Sequence, residues 1–109
     1  MERLHIFDEI EIGMPVKQES DKSDVGTVEF MKYGKATTPG VDIVTEFVRD
    51  VFDAKPDFPD EVYEKLYAEG FIRVERGLKP DAFVFPSQIA HIANNEVHIK
   101  VDEDDLLTE

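Results

Sequence analysis

Two runs of alternating apolar and polar side chains predict β-strands near the beginning and the end of the chain. They cover residues 27–33 and 96–101. Alternation with a period of two is typical of a strand that buries one face and exposes the other. We therefore expect His98, on the polar face of the second run, to contact water. The apolar side chains that we expect to share one interior are Val28, Phe30, Val97, Ile99 and Val101.

Shorter apolar runs predict further strands in the same two regions. Residues 3–7 and 14–18 are weak strand candidates, and residues 71–75 and 82–86 are candidates in the last third of the chain. The asparagine pair at 94–95 separates two apolar runs. Because asparagine tolerates positive φ, this pair predicts a tight hairpin turn.

The period changes to that of a helix in the middle of the chain. Residues 41–54 place apolar side chains at helical spacing, and residues 59–69 do the same over a shorter length. Pro59 suits the first position of the second helix, and Gly70 suits a left-handed cap at its end. The apolar stripe of the first helix is Val44, Phe47, Val48, Val51 and Phe52. The stripe of the second is Val62, Tyr63, Leu66 and Tyr67.

The polar segment before the first alternating run has some features of a calcium loop. Counted from Asp21, Ser23 falls at position 3 and Gly26 at position 6, as such a loop requires. Val25 then stands at position 5 and Lys32 at position 12, where oxygen ligands are needed. The segment is therefore interpreted as a polar turn that leads into a strand, in which Gly26 marks a bulge or a close approach of two backbones.

Composition favours one acidic globular domain that spans residues 1–109. Apolar residues make up 41% of the chain, cysteine is absent and the formal net charge is −13. A chain without cysteine forms no disulfide and no zinc–thiolate site. The negative charge disfavours nucleic-acid binding. The longest apolar runs are too short to span a membrane, and the first residues lack the pattern of a signal peptide, so the expected location is the cytoplasm.

Candidate metal ligands are scattered along the chain. His5, His91 and His98 have no metal-binding spacing, although the last two are placed to approach each other across the predicted hairpin. A histidine pair alone does not complete a site. The acidic run 102–105 is interpreted as a short helical turn that Asp102 caps, because consecutive carboxylates cannot all converge on one cation.

The residues resemble those of the PRC-barrel family, the small β-barrel of the photosynthetic reaction-centre H subunit and of a ribosome-maturation factor. The resemblance rests on Val25, Gly26 and Val28 in the first half and on residues 83–86 with Ile89 in the second. It implies a mainly β fold, a small and strongly bent antiparallel barrel with halves at about 1–36 and 71–101. The helical insertion at about 41–69 is the departure from a minimal barrel.

The same resemblance implies a non-enzymatic module for protein interaction or assembly, with no catalytic residue and no cofactor. Its partner would be an unknown protein or a second copy of the chain. Two alternatives remain open from the residues themselves. One is a barrel that binds a small ligand or a metal. The other is an enzyme that uses carboxylates such as Glu29 or Glu75, which requires two carboxyl groups that converge in a cleft with separated pKa values.

Two readings of the helical insertion stay open. Both helices can pack on the barrel with one face each and form a second layer of core. Alternatively, because a small barrel offers little area to cover every apolar side chain, part of the first predicted helix stays exposed as an interaction surface. The candidate residues are Val44, Val48, Val51 and Phe52. An exposed apolar patch of this kind typically marks an interface, and a symmetric dimer is one way to bury it.

If residues 44–52 form this surface, Phe52→Asp should abolish association and leave the melting temperature nearly unchanged. Light scattering of both proteins checks the first part and thermal unfolding the second. A variant that unfolds as a monomer would show instead that the helix is part of the core.

Overall fold

The computed structural model describes residues 5–34 and 58–108, in which seven strands form one sheet. The helix α1 is Asp60–Glu69, and three 3-10 helices lie at Ile6–Glu9, Pro86–Gln88 and Glu103–Asp105. The strands are β1 (Pro15–Gln18), β2 (Asp24–Tyr33), β3 (Gly70–Arg76), β4 (Lys79–Val84), β5 (Ile89–Ala93), β6 (Glu96–Ile99) and β7 (Leu107–Thr108). The mainly β fold with a helix is confirmed.

The strand order in the sheet is β5-β6-β1-β2-β3-β4-β7, so β5 and β7 are its edges and the sheet does not close. The expected barrel closure is therefore not confirmed. Five of the six neighbouring pairs are antiparallel, but β1 and β6 run parallel. The prediction of a wholly antiparallel sheet is wrong at this pair. Alternation along a strand indicates which face is buried, and it carries no information on the neighbour or its direction.

Strand β2 has two register shifts of the kind that β-bulges produce. Val25 is an extra residue that has no partner in the pairing with β1, and Glu29 is an extra residue that has no partner in the pairing with β3. An extra residue in one strand of a pair increases the local twist and reverses the alternation beyond it. For this reason Val28 and Phe30, two residues apart, lie in different cores.

The two faces of the bent sheet each cover an apolar core. The larger core contains Val28, Val97 and Ile99, with Val101 packed against it, as predicted. Phe30 is the exception, because it packs on the second core. The buried members of the second core are Tyr63, Leu66, Phe71, Phe83 and Phe85. Helix α1 supplies two of them and thereby covers this face of the sheet.

Helix α1 confirms the second predicted helix. Pro59 is its N-cap instead of its first helical residue, and Gly70 follows it at a φ of 78°. Boundary shifts of one residue are ordinary for helix ends. The first predicted helix, 41–54, lies outside the described residues.

Local hydrogen bonds account for two further differences from the sequence predictions. Part of the weak strand candidate 3–7 belongs to a 3-10 helix, in which the His5 Nδ1 accepts from the Phe7 N–H at 3.0 Å. The Asp8 carboxylate accepts from the His5 N–H at the same distance. The helical turn in the acidic run is confirmed, but its N-cap Asp102 makes no side-chain cap hydrogen bond.

No helix in residues 5–34 or 58–108 has the length and apolar character that crossing a membrane requires.

Gly26 is a position where the close approach of two strands leaves no room for a side chain. A Cβ there would lie 2.2 Å from the Glu75 carbonyl oxygen and 2.8 Å from Val74 Cγ1. Gly26→Ala should therefore lower the free energy of unfolding by about 3 kcal/mol or more, because β2 and β3 must separate.

Gly77→Ala is the matched control. Gly77 has a φ of +72°, and a Cβ at this position would meet no atom within 4 Å, so the substitution costs only backbone strain, about 1–2 kcal/mol. Urea unfolding of both variants measures the difference. Equal losses would contradict the close backbone approach.

Candidate metal centre

Three side chains from separate elements meet beside the β5 edge of the sheet. Glu19 follows β1, His91 lies on β5 and His98 on β6. One ligand atom from each lies within 4.8 Å of the other two. In the part of the chain that the structure describes, this is the one group of three or more acidic or histidine side chains with metal-binding spacing.

The β5–β6 hairpin sets the two histidines against each other. They are directly paired across the two antiparallel strands. Their rings stack with centroids 4.6 Å apart and an angle of 14° between the planes. The turn between the strands has Asn94 and Asn95 at φ of 55° and 61°, which confirms the predicted hairpin turn and fixes this register.

Glu19 reaches the histidines because β1 pairs with β6. Lys17 stands opposite His98 in that parallel pair, and the Glu19 N–H donates to the Ile99 carbonyl oxygen at 2.8 Å. The carboxylate is thereby held beside β6. Sequence reasoning missed Glu19, since nothing near residues 14–20 indicates that this strand neighbours the C-terminal hairpin.

A single oxygen of Glu19 is the centre of the cluster. Glu19 Oε2 lies 3.4 Å from His98 Nδ1, 3.6 Å from His91 Nε2 and 3.0 Å from Lys22 Nζ. The contact with Lys22 lowers the pKa of Glu19, although burial opposes the shift. The carboxylate is consequently an anionic ligand at neutral pH.

His98 is the buried member of the cluster. Its side chain is only 7% exposed, so the prediction that it contacts water is wrong. Strand β6 lies between β5 and β1, and its residues 97–99 are all buried. His98 Nδ1 has no hydrogen-bond partner among the described residues. A buried polar atom left unpaired costs roughly 1–3 kcal/mol, so an unpaired one in a native structure calls for an explanation.

A second carboxylate faces the other nitrogen of His98. Glu96 Oε1 lies 3.5 Å from His98 Nε2, and Glu96 Oε2 lies 3.4 Å from Lys17 Nζ. Lys17 also contacts Asp24 at 3.2 Å, and its hydrogen bond to Asp24, followed by the charges of both acids, raises the pKa of Lys17. Lys17 is thus a cation that holds Glu96 beside the imidazole.

Two of the three ligand spacings suit a tetrahedral ion. The ligand atoms of the two histidines lie within 4.8 Å of each other and their rings are stacked, so the rings must turn before both can bind one ion. With metal–ligand distances of about 2.0–2.1 Å, neighbouring ligand atoms of a tetrahedron are about 3.3 Å apart. The two contacts of Glu19 Oε2 with the histidine nitrogens are close to this value. Two imidazole nitrogens and one carboxylate oxygen form the ligand set of zinc sites that keep a fourth position open.

Most of the other candidate ligands have structural roles. The His5 ring caps the first 3-10 helix, and Asp21 Oδ1 accepts from the Ser23 N–H at 3.0 Å within the turn before β2. Glu103, in the acidic run 102–105, forms ion pairs with Arg76 at 2.7 Å and Lys79 at 3.3 Å. The candidate interface residues Val44, Val48, Val51 and Phe52 lie outside the described residues.

The two carboxylates named as enzyme candidates have different contacts, although the charge of Glu75 is one of the causes that raise the pKa of Glu29. Glu75 accepts from the Gly77 N–H at 2.7 Å in the turn after β3. Glu29 instead approaches Asp81 beside Arg73, whose Nε lies 3.4 Å from Glu29 and 3.9 Å from Asp81. Burial, followed by the charge of Asp81, raises the pKa of Glu29, and Arg73 opposes the shift.

Comparison of the chain with family models, with curated proteins and with solved structures gave no match. The resemblance to PRC barrels stays a hypothesis that rests on the residues, and the function has to be argued from the geometry of the site.

The raised pKa of Glu29 predicts how stability depends on pH. The folded protein holds the Glu29 proton more tightly than the unfolded chain does. Protonated Glu29 therefore contributes to the free energy of unfolding in full below its pKa in the unfolded chain, and this contribution is lost as pH rises through its pKa in the folded protein. Glu29→Gln should therefore raise the melting temperature at pH 7, and the gain should vanish near pH 4.

Thermal unfolding of Glu29→Gln and of Glu64→Gln, a change on the exposed face of α1, measures this effect. Glu64→Gln should show no comparable gain at pH 7. A lower melting temperature for Glu29→Gln at pH 7 would mean that its pairing with Arg73 outweighs burial and repulsion.

Proposed function

We propose that this protein is a metal-binding module. It would bind a divalent metal ion such as zinc at Glu19, His91 and His98. The observation that carries the proposal is the buried His98, whose Nδ1 has no hydrogen-bond partner in the described structure and lies close to the carboxylate of Glu19. A metal at this point would give that nitrogen a ligand bond. It would also draw the two histidines and the carboxylate into one coordination shell.

The donor atoms indicate the class of metal. Imidazole nitrogen suits zinc, copper, iron and nickel, whereas calcium and magnesium prefer shells made of oxygen. The chain has no cysteine, so sites that depend on thiolate do not arise. The site therefore favours zinc or a similar ion, in contrast to the calcium loop considered for Asp21.

Glu96 supports the proposal from outside the coordination shell. A metal-binding histidine almost always presents its other ring nitrogen to a carboxylate, a carbonyl oxygen or water, which fixes its tautomer. Glu96 stands on that side of His98, and Lys17 holds Glu96 in place. A metal on Nδ1 would leave the Nε2 proton of His98 facing Glu96.

Binding fits this site better than catalysis. The side chains of His91 and Glu19 are 47% and 38% exposed, whereas Glu19 Oε2 and His98 Nδ1 themselves are buried. The two nearest carboxylates already have roles, Glu19 as a ligand and Glu96 as the partner of His98. A metal-assisted reaction would need a further general base beside the open position.

A PRC-barrel-like role in assembly, with an unidentified protein or a second copy as partner, is the second proposal. The two motif regions of the resemblance support it, since both pair with β3 in the structure. Val28 on β2 lies opposite Val74, and Phe83 and Val84 on β4 lie opposite Arg73 and Ile72. Closure into a barrel and the role of residues 44–52 are part of this second proposal, and Phe52→Asp tests it independently of the metal.

Zinc should bind as one saturable site in calorimetry at neutral pH and should raise the melting temperature. At a hundredfold excess over Kd the stabilisation is about 2.7 kcal/mol. Affinity should fall in acid, because both imidazoles must release any proton from the ligand nitrogens. Calcium should not compete, because two of the three ligands are nitrogens.

His91→Ala is the informative variant, because the side chain is half-exposed and its loss leaves both cores intact. This change should weaken zinc binding at least about tenfold, because it leaves only two protein ligands for an ion that prefers four. His5→Ala is the control, since His5 lies outside the cluster. Equal zinc affinity for His91→Ala and the unchanged protein would refute the site.

A further inference from the structure

Lys22 contacts the same oxygen that the metal would use. Its Nζ lies 3.0 Å from Glu19 Oε2, nearer than either histidine nitrogen. The ammonium group and both imidazoles therefore converge on one carboxylate oxygen, and that oxygen can serve the lysine or a metal ion.

The turn between β1 and β2 directs Lys22 back onto Glu19. Lys22 has a φ of 61°, and its N–H donates to the Gln18 carbonyl oxygen at 2.8 Å. Asp21 Oδ1 accepts from the Ser23 N–H at 3.0 Å and from Gln18 Nε2 at 3.2 Å. These bonds shape the backbone on both sides of Lys22. The approach of Lys22 to Glu19 is therefore built into the turn.

The side chain of Lys22 is free to leave this position at little structural cost. It is 58% exposed and belongs to neither apolar core. A divalent ion on Glu19 Oε2 and an ammonium group 3.0 Å from that oxygen would repel each other strongly. Metal binding therefore requires the lysine to swing into solvent, where its charge is hydrated.

We propose that Lys22 is the residue that sets the metal affinity of this site, because it competes with the metal for Glu19. This inference rests on the metal-binding function proposed above. The lysine neutralises Glu19 when no metal is bound and lowers the affinity that two histidines and a carboxylate would otherwise have. Any change that removes the charge of Lys22 tightens metal binding.

The competing explanation is that Lys22 and Glu19 form an ordinary surface ion pair. Such pairs contribute about 0–1 kcal/mol to stability. In that case removal of the lysine would change the melting temperature slightly and would leave zinc affinity unaltered. Metal affinity is thus the readout that separates the two roles.

The experiment compares zinc dissociation constants for four proteins at neutral pH and constant ionic strength. They are the unchanged protein, Lys22→Gln, Lys22→Arg and Lys100→Gln. Lys100→Gln is the matched control, because it removes one positive charge from an exposed position just after β6. Competition against a cobalt spectrum or a chromogenic chelator gives each constant without reliance on heats of binding.

Lys22→Gln should bind zinc roughly three- to fivefold more tightly, since about 0.6–1 kcal/mol of competition is removed. Lys22→Arg retains the charge and should stay within about twofold of the unchanged protein, as should Lys100→Gln. Equal affinity for Lys22→Gln and the unchanged protein overturns the role of Lys22 and leaves the metal site standing. If neither protein binds zinc, the metal site itself is refuted, and the role of Lys22 with it.

Discussion

The parallel pairing of β1 with β6 is the contact on which both the larger core and the candidate site depend. It joins the β1–β2 hairpin to the β5–β6 hairpin, two units that are distant in sequence. Val16 and Val97, paired across it, are fully buried. The same register places Lys17 beside Glu96 and holds Glu19 against Ile99. Without this pair the β5–β6 hairpin, which contains His91 and His98, would have neither the Glu19 carboxylate nor β1 beside it.

The bulges of β2 impose the second constraint. They turn Val28 towards one core and Phe30 towards the other, so a single strand contributes to both. Strand β4 does the same by alternation, with Val84 in the larger core and Phe83 under α1. Gly26 lets the β2 backbone approach Glu75 closely. Packing of α1 against the aromatic side chains then completes the second layer.

Local features of the sequence predicted the elements well. The strands at 27–33, 71–75 and 96–101, the helix at 59–69 and the turn at 94–95 all depend on residues close in sequence. The failures concern long-range pairing. The face on which Phe30 lies depends on a bulge, and the burial of His98 depends on β1, so neither follows from a period of two.

The candidate site shows the same division. The sequence alone predicts that His91 and His98 approach each other, because the hairpin turn between them folds one strand back against the other. Glu19, which completes the cluster, comes from the other hairpin and reaches the site only through the β1–β6 pair. Glu96 meets Lys17 across the same pair, whereas Lys22 approaches Glu19 through the local turn. Single residues with no motif around them thus form a site once the sheet has assembled.

The central claim is that a metal ion binds between Glu19, His91 and His98. Anomalous diffraction at the zinc absorption edge, from crystals grown with zinc, tests it most directly. We expect one strong peak about 2.0–2.1 Å from His98 Nδ1 and His91 Nε2, with Glu19 Oε2 as the third ligand and Lys22 moved away from it. A peak on the Glu96 side of His98, or zinc bound only elsewhere on the protein, would contradict this account.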